Sequence, residues 1–351
     1  MTNDSYPSLG AVLKKDEGAT EFSVWAPHAD AVFVAGNFND WKTEDVELDR
    51  GDDDRWRGKV EKVQPGTEYK FVIKNGDQVL WKNDPSARAM TNSAGNSVVV
   101  DDSAFDWGND AEFQLPPWNE LVIYEMHIGT FHRNGNGDQV GTFDDALERL
   151  DHIKSLGVNC IEIMPVAEFA GGQSWGYNPA FPFAIESDYG GVDGLKKFVK
   201  TCHENGIAVL IDVVYNHFGP SDLDLWQFDG WSENGKGGIY FYNDWRAETP
   251  WGDTRPDYGR QEVRQYIRDN ALMWLDAFHA DGLRFDMTFY MRSVNDGADI
   301  PEGWSLAQWI NHDINEQFPG TLTIAEDLRS NEWITKTTGE GGAGFGSQWD
   351  E

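Results

Sequence analysis

Residues 282–290 read GLRFDMTFY, and the reading of this stretch decides the fold. Leu283, Phe285 and Met287 are apolar and alternate with Arg284 and Asp286, which is the rhythm of a short strand. Residues i and i+2 of a strand point to the same side, so Arg284 and Asp286 face one way together. A buried ion pair seldom improves stability over apolar packing, so its presence here calls for another reason. Working outward, RQEVRQYIRDNALMWLDAFHAD (260–281) reads as a helix before this strand. SLAQWINHDINEQFPG (305–320) reads as a helix after it, and TLTIAEDL (321–328) as the next strand.

The same alternation extends back to about residue 119. LVIYEMHIGTF (121–131) is a strand. TFDDALERLDHIKSLG (142–157) is one amphipathic helix, with Thr142 as N-cap, a Leu147, Leu150, Ile153 stripe and Gly157 as stop. VNCIEIMPV (158–166) is the second strand, GVDGLKKFVKTCHENG (191–206) a helix, and IAVLIDVVYNH (207–217) the third strand. A loop of 40-odd residues rich in Trp, Tyr, Gly and Asp follows it. Near-continuous apolar strands alternating with helices predict a parallel sheet covered by helices, either a doubly wound sheet or a (β/α)8 barrel. No Gly-rich phosphate loop follows any strand, so the dinucleotide form of the doubly wound fold lacks support.

Residues 1–105 follow a different rhythm. EFSVWAPHADAVFVAGNFNDW (21–41) gives two short strands, Phe22–Trp25 and Ala31–Ala35, and RWRGKV, EYKFVIKNG and NSVVVDD continue with β-type alternation. This predicts a small, immunoglobulin-like β-sandwich. The expected organisation is a sandwich over 1–105, a Pro-containing linker over 106–118, and a barrel over 119–351 that stops near its sixth strand, GFGSQWDE (344–351).

The formal charge of −32 across 351 residues argues against nucleic acid and anionic membrane as partners, because both need a basic footprint. It suits a neutral or cationic substrate. The 16 Trp, 11 Tyr and 20 Phe beside many carboxylates fit a surface that stacks on sugar faces, with core packing accounting for most of the rings. Cys160 and Cys202 form neither a metal cluster nor a disulfide framework. The first ten residues carry no leader pattern and no apolar run reaches membrane-spanning length, so a reduced, cytoplasmic location is expected. The oligomeric state stays open.

Polar groups recur at the C-terminal ends of the strands: His127, then Trp175 and Tyr177, then Asp212, Asn216 and His217, then Arg284 and Asp286, then Glu326 and Asp327. In a barrel, catalytic groups come from the ends of several strands. Asp286 and Glu326 stand on consecutive strands. Neighbouring strands lie about 4.8 Å apart. Two such carboxyls can reach the roughly 5–5.5 Å separation of a retaining glycosidase. Arg284 favours an ionised Asp286 as nucleophile, and Glu326, with no cation at matching spacing, is expected to be the acid. The plainer alternative, ordinary strand-end carboxylates, remains open from spacing alone.

DVVYNH (212–217), GLRFDMTFY (282–290) and IAED (324–327) resemble, in order, three signature regions of the α-amylase superfamily, glycoside hydrolase family 13. WGYN (175–178) resembles the segment that supplies the aromatic platform of that family, and GNFNDW (36–41) resembles a family 48 carbohydrate-binding module. The resemblance implies Asp286 as nucleophile, Glu326 as general acid/base, and Arg284 orienting and ionising Asp286. It implies that His217 bonds the sugar at the cleaved position, Tyr177 stacks on it and Asp212 shapes the pocket. Asn216 matches a position that binds calcium in some amylases. No cofactor is expected, and calcium is allowed but not favoured. His127 lies outside the signatures. The tryptophans Trp25, Trp41, Trp56 and Trp81 are divided between core and glucan contact without individual assignment.

The implied substrate is an α-glucan, either glycogen or a maltooligosaccharide. The implied reaction is 1,4-α-glucan branching, ahead of maltooligosyl-trehalose trehalohydrolase or amylase-type hydrolysis. A non-catalytic glucan-binding fragment is the reading from another class. The family's third carboxylate, an Asp after a His near strand seven, has no counterpart here, because His312 and Asp313 precede strand five. Strands seven and eight are absent as well, which would leave sheet edges and apolar surface exposed, so the chain alone is expected to be poorly stable and inactive.

Overall fold

The computed structural model describes residues 9–135 and 139–349. Nine strands come first: β1 (Gly10–Lys14), β2 (Ala19–Trp25), β3 (Ala31–Gly36), β4 (Asp49–Arg50), β5 (Arg55–Glu61), β6 (Glu68–Asn75), β7 (Gln78–Lys82), β8 (Ala89–Met90) and β9 (Ser97–Val98). They form two antiparallel sheets, β1-β2-β5-β4 and β3-β6-β9-β8, with β7 paired to β6. Phe22, Val24, Trp56, Tyr69 and Phe71 alternate inward from the two sheets and are buried between them. The Trp56 indole donates to the Ala26 carbonyl and the Tyr69 hydroxyl to Asp84, so the polar tips of the two large core rings are satisfied.

The second part is a six-stranded parallel sheet, β10 (Ile123–Met126), β11 (Cys160–Ile163), β14 (Ala208–Val213), β15 (Gly282–Phe285), β16 (Leu322–Glu326) and β17 (Ser347–Trp349). A hairpin of β12 (Ala167–Phe169) and β13 (Pro179–Ile185) is inserted after β11. The spatial order follows the chain order without a reversal, as in a curled half-barrel and unlike a doubly wound sheet. The helices are α1 (Ile128–Phe131), α2 (Phe143–Leu147), α3 (Leu150–Ser155), α4 (Gly191–Glu204), α5 (Gln261–Asp276), α6 (Phe289–Arg292) and α7 (Pro301–Gln317). β14 is buried along its whole length, as a strand covered on both faces must be. Gly282 is needed where β14, β15 and β16 meet: a Cβ there would stand 2.4 Å from the Leu322 carbonyl oxygen.

Some boundaries differ from the sequence reading. The single helix expected over 142–157 is two, broken at Glu148–Arg149, where the amides turn back three residues to Asp145 and Ala146. Thr142 does cap the first of them, in a reciprocal pair with Asp145. The first barrel strand begins at Ile123, because 118–120 form a 3-10 turn. α7 starts at Pro301, four residues before the expected start, since proline suits the first helical turn.

The sandwich is fastened to the barrel. Lys82 of β7 donates to the Asp224 and Trp226 carbonyls at 2.8 and 3.0 Å, and His28 donates to Asp229 through its amide and is paired with it through its ring. The connecting segment is pinned by Asp110, whose carboxylate holds His203 at 2.7 Å and His279 at 2.6 Å. The other nitrogen of His203 meets Asp281 at 2.9 Å, and its ring stacks on Phe113. Burial pulls the His203 imidazolium down, but hydrogen bonds to Asp110 and Asp281 outweigh it and carry it up to about 9. A raised histidine contributes stability that is whole below its unfolded value and is lost as pH climbs through the folded one. Between about pH 6.5 and 9 the protein should therefore lose about 2–3 kcal/mol at this site. Urea unfolding of the parent and His203→Gln across that range checks this: the parent should show the steeper fall, and equal slopes would refute it.

Candidate active site

The site is built where the strand ladder stops. Arg284 stands inside β15, opposite Asp212 of β14, and Asp286 follows the last residue of β15. The Arg284 guanidinium is buried and meets three carboxylates. Nη1 lies 2.9 and 2.8 Å from the two Asp212 oxygens and 3.1 Å from Asp286, while Nη2 lies 2.7 Å from Glu326. The ring of Trp349 on β17 sits 5.0 Å from it and that of Tyr177 5.8 Å. The ion pair at 284–286 is thus one edge of a four-member cluster. The expectation that Glu326 has no cation is corrected here. Strands β15 and β16 are adjacent, so a long side chain reaches across to Glu326, a contact invisible to spacing within one strand.

Asp286 is held from the other side by Asn216, whose amide donates to its Oδ2 at 2.8 Å and to its backbone carbonyl at 2.7 Å. Burial pushes the Asp286 carboxyl up to about 6, Arg284 and Asn216 pull it down, and the Glu326 charge adds to the rise. Arg284 does favour the ionised form as expected, but burial wins. Asp286 is mostly ionised at neutral pH and takes up a proton in mild acid. Asp212 is more deeply buried, and its carboxyl lies well above the usual range for that reason, against the pull of Arg284. Asp212 also accepts the Tyr177 hydroxyl at 2.8 Å, so it ties the aromatic ring and the guanidinium together.

Tyr177 is aimed by Gly176, whose φ of +89° and near contact with the Pro165 carbonyl leave no room for a side chain. His127 closes the root of the same loop: Nε2 meets the Ser174 carbonyl at 2.8 Å and the Tyr189 hydroxyl at 2.9 Å. His217 is buried. Its Nδ1 donates to Asn216 Oδ1 at 2.5 Å, and its ring lies 4.4 Å beneath that of Trp251, nearly parallel. Burial pushes His217 down to about 4, so it is neutral at physiological pH. The Asn216 side chain is committed to Asp286 and His217. Among the described residues, no group of three or more His, Cys, Asp or Glu could hold a metal ion.

The structure therefore brings Tyr177, Asp212, His217, Arg284, Asp286 and Glu326 to one end of the sheet. Sequence reasoning missed three groups. Trp251 comes from the long loop, where nothing in its neighbourhood marks it. Trp349 enters from β17. Glu162 of β11 faces the interior with both carboxylate oxygens unpartnered, and burial pushes it up to about 7. The sandwich tryptophans are now sorted: Trp25 and Trp56 are core, while Trp81 is 40% exposed and its ring lies 6.3 Å from that of Trp41.

Two family models match separate stretches of the chain. Residues 8–87 match the model for carbohydrate-binding module 48 (isoamylase N-terminal domain), and residues 129–256 match the alpha amylase catalytic domain. A 1,4-alpha-glucan branching enzyme GlgB from Pseudoalteromonas atlantica is 34% identical over all of this chain and 52% of its own length. One from Picrophilus torridus is 36% identical over 99% of this chain and 50% of its own. The chain spans about half the length of the curated relatives it matches. Among solved structures, one described as a putative alpha amylase from Salmonella typhimurium superposes with a TM-score of 0.76 at 31% identity, covering 92% of this chain and 50% of that one. A pullulanase from Paenibacillus barengoltzii shares the fold, with a TM-score of 0.74 at 24% identity over 91% of this chain and 53% of that one.

Proposed function

We propose a function from this premise: the chain belongs to the α-amylase superfamily and carries a carbohydrate-binding module 48 ahead of its catalytic domain. The protein is a 1,4-α-glucan branching enzyme. It cuts an α-1,4 linkage with retention and passes the glycosyl unit to a 6-hydroxyl of a glucan. The bridge from Arg284 to both Asp286 and Glu326 carries the retaining chemistry, and the likeness to branching enzymes at 34% and 36% identity favours transfer over hydrolysis. Two carboxyls held by one planar cation suit attack on the sugar by one while the other serves the departing oxygen.

In the first step an Asp286 oxygen bonds to the anomeric carbon as the glycosidic C–O bond breaks. Glu326 gives its proton to the departing oxygen. In the second step Glu326 takes the proton of the incoming 6-hydroxyl, whose oxygen displaces Asp286. Arg284 holds both carboxyls, Asp212 holds Arg284 and Tyr177, and neutral His217, whose Nδ1 proton is given to Asn216, accepts from a sugar hydroxyl through Nε2. Asn216 serves Asp286 and not calcium. We place the protein in the cytoplasm acting on glycogen. The two buried free cysteines suit a reducing compartment, and no helix among the described residues is long and apolar enough to cross a membrane.

The test is the iodine–amylose assay on the protein as its gene encodes it. Branching shifts the stain without new reducing ends, whereas hydrolysis releases them. Release of free trehalose from maltooligosyl-trehalose would move the reading to a trehalohydrolase. Binding without turnover would leave only the glucan-binding function.

The sandwich offers its own check. Exposed Trp81 on β7 and half-buried Trp41, in the turn that follows β3, form a tilted aromatic ledge shaped for the apolar face of a helical glucan. Trp81→Ala should weaken retention on amylose in affinity electrophoresis about 10-fold or more, with the fold unchanged because the ring lies at the surface. Unaltered migration would remove this ledge from the binding surface.

A further inference from the structure

We propose that Arg292 and Asp327, with Thr288, form a clamp that fixes the separation of Asp286 and Glu326. They act as positioning residues, and the catalytic part of the inference rests on the reaction proposed above. The pairing of β15 with β16 ends at Phe285 and Ala325. Asp286 and Glu326 both lie beyond that last pair, so the sheet does not hold them to each other. Asp286 is bonded through its amide to Val213 on one flank, and Glu326 is paired with Trp349 on the other. The two strand ends are thus drawn outward, toward different neighbours.

Arg284 bridges the two carboxyls at their tips, and a second set of bonds, just behind, returns the backbones to each other. The Thr288 amide donates to the Glu326 carbonyl at 2.8 Å, and the Thr288 hydroxyl lies 3.0 Å from the same oxygen. Arg292, at the end of α6, grips fully buried Asp327 with two parallel bonds: Nε to Oδ2 at 2.8 Å and Nη2 to Oδ1 at 2.9 Å. A bidentate guanidinium–carboxylate pair fixes direction as well as distance. The Arg292 guanidinium rests 5.1 Å from the centre of the Phe289 ring, which limits its swing. Between the two halves Met287 adopts φ +38°, uncommon for a residue with a side chain, and this aims its amide at Glu326 Oε2, 2.9 Å away. Strain of this kind persists only where the surroundings enforce it. Catalysis by two carboxyls tolerates little error, since a misplacement of about 1 Å can cost about 100-fold in rate.

Two measurements test the clamp. The first needs no turnover: hydrogen exchange of the 351-residue chain, read at single amides. In Arg292→Met, Met287 and Thr288 should exchange about 10-fold faster or more, while Leu283 and Phe285 in the ladder keep their protection. Unchanged exchange at 287 and 288 would overturn the clamp, and so would an equal rise across β15, which would mean general loosening. The second is kinetic, on the protein as its gene encodes it. Arg292→Met should lower kcat about 100-fold with KM nearly constant, and millimolar guanidinium chloride should restore part of the loss. Arg292→Lys, which keeps charge but not the fork, should fall between. Thr288→Val, which spares the ion pair, should show a smaller loss. A rise in KM alone, or a loss that follows melting temperature and is not rescued, would overturn positioning. If the parent shows no transfer at all, the branching reading fails while the exchange result still decides the clamp.

Discussion

Asp286→Asn should lower glycosyl transfer by at least about 10^4-fold and leave a folded protein. The amide keeps the shape of the side chain but cannot form the glycosyl ester, so the loss falls on kcat and kcat/KM together. A 5-fluoroglycosyl fluoride should label the peptide containing residue 286 in the parent and none in the variant. The fold should hold because Asp286 is not a net stabilising charge. Burial has already pushed its carboxyl up to about 6, above the value of a free aspartate. Asparagine removes that burden at neutral pH while keeping one oxygen for Arg284 or Asn216. The same position sets the acid limb of the parent. As pH falls through about 6, Asp286 takes up a proton and loses its nucleophilic pair, so kcat/KM should decline there. An acid limb near pH 4, with full labelling at pH 5, would mean that Asp286 stays ionised and that Arg284 outweighs burial after all.

Much of this was legible in the sequence, for an identifiable reason. The parallel sheet is visible because each strand and helix announces itself locally, through apolar runs, caps and glycine stops. The site residues of the strand ends are visible because a barrel gathers such ends at one face. GLRFDMTFY carries its own pair, and DVVYNH carries Asp212, Asn216 and His217 within six positions. What stayed hidden depends on register and long-range packing. The bond from Arg284 to Glu326 crosses between strands about 40 residues apart in the chain, and nothing in either segment reports its length. Trp251 reaches His217 only because the long loop folds back over the sheet. Glu162 reads as an ordinary strand residue in CIEI, and only the closed concave face reveals that both its oxygens are orphaned. The break between α2 and α3 was hidden because the apolar stripe runs through it.

Arg284→Met should destabilise the protein by about 3–5 kcal/mol at neutral pH, the cost of leaving buried carboxylates without their cation. Arg284 is 4% exposed and serves Asp212, Asp286 and Glu326, so its removal strands several groups at once. The pH dependence follows from sign. Asp212 and Asp286 already titrate above their unfolded values in the parent because of burial. Without Arg284, the largest pull downward on each is gone, Asn216 still serves Asp286, and both rise further. A carboxyl raised on folding contributes stability that is whole below its unfolded value and is lost as pH rises through the folded one. The deficit of the variant should therefore be small near pH 5, where the cluster can hold protons, and should grow toward pH 8. Urea unfolding at those two values reads it directly. A deficit of equal size at both would mean that the carboxylates find other donors when the guanidinium leaves. Arg284→Lys separates charge from geometry: one ammonium cannot face three carboxylates in a plane. It should recover part of the stability at pH 8 yet little of the transfer activity. A lysine variant with near-parental activity would show that the site needs only a positive charge, and the planar bridge between Asp286 and Glu326 would lose its place in the mechanism.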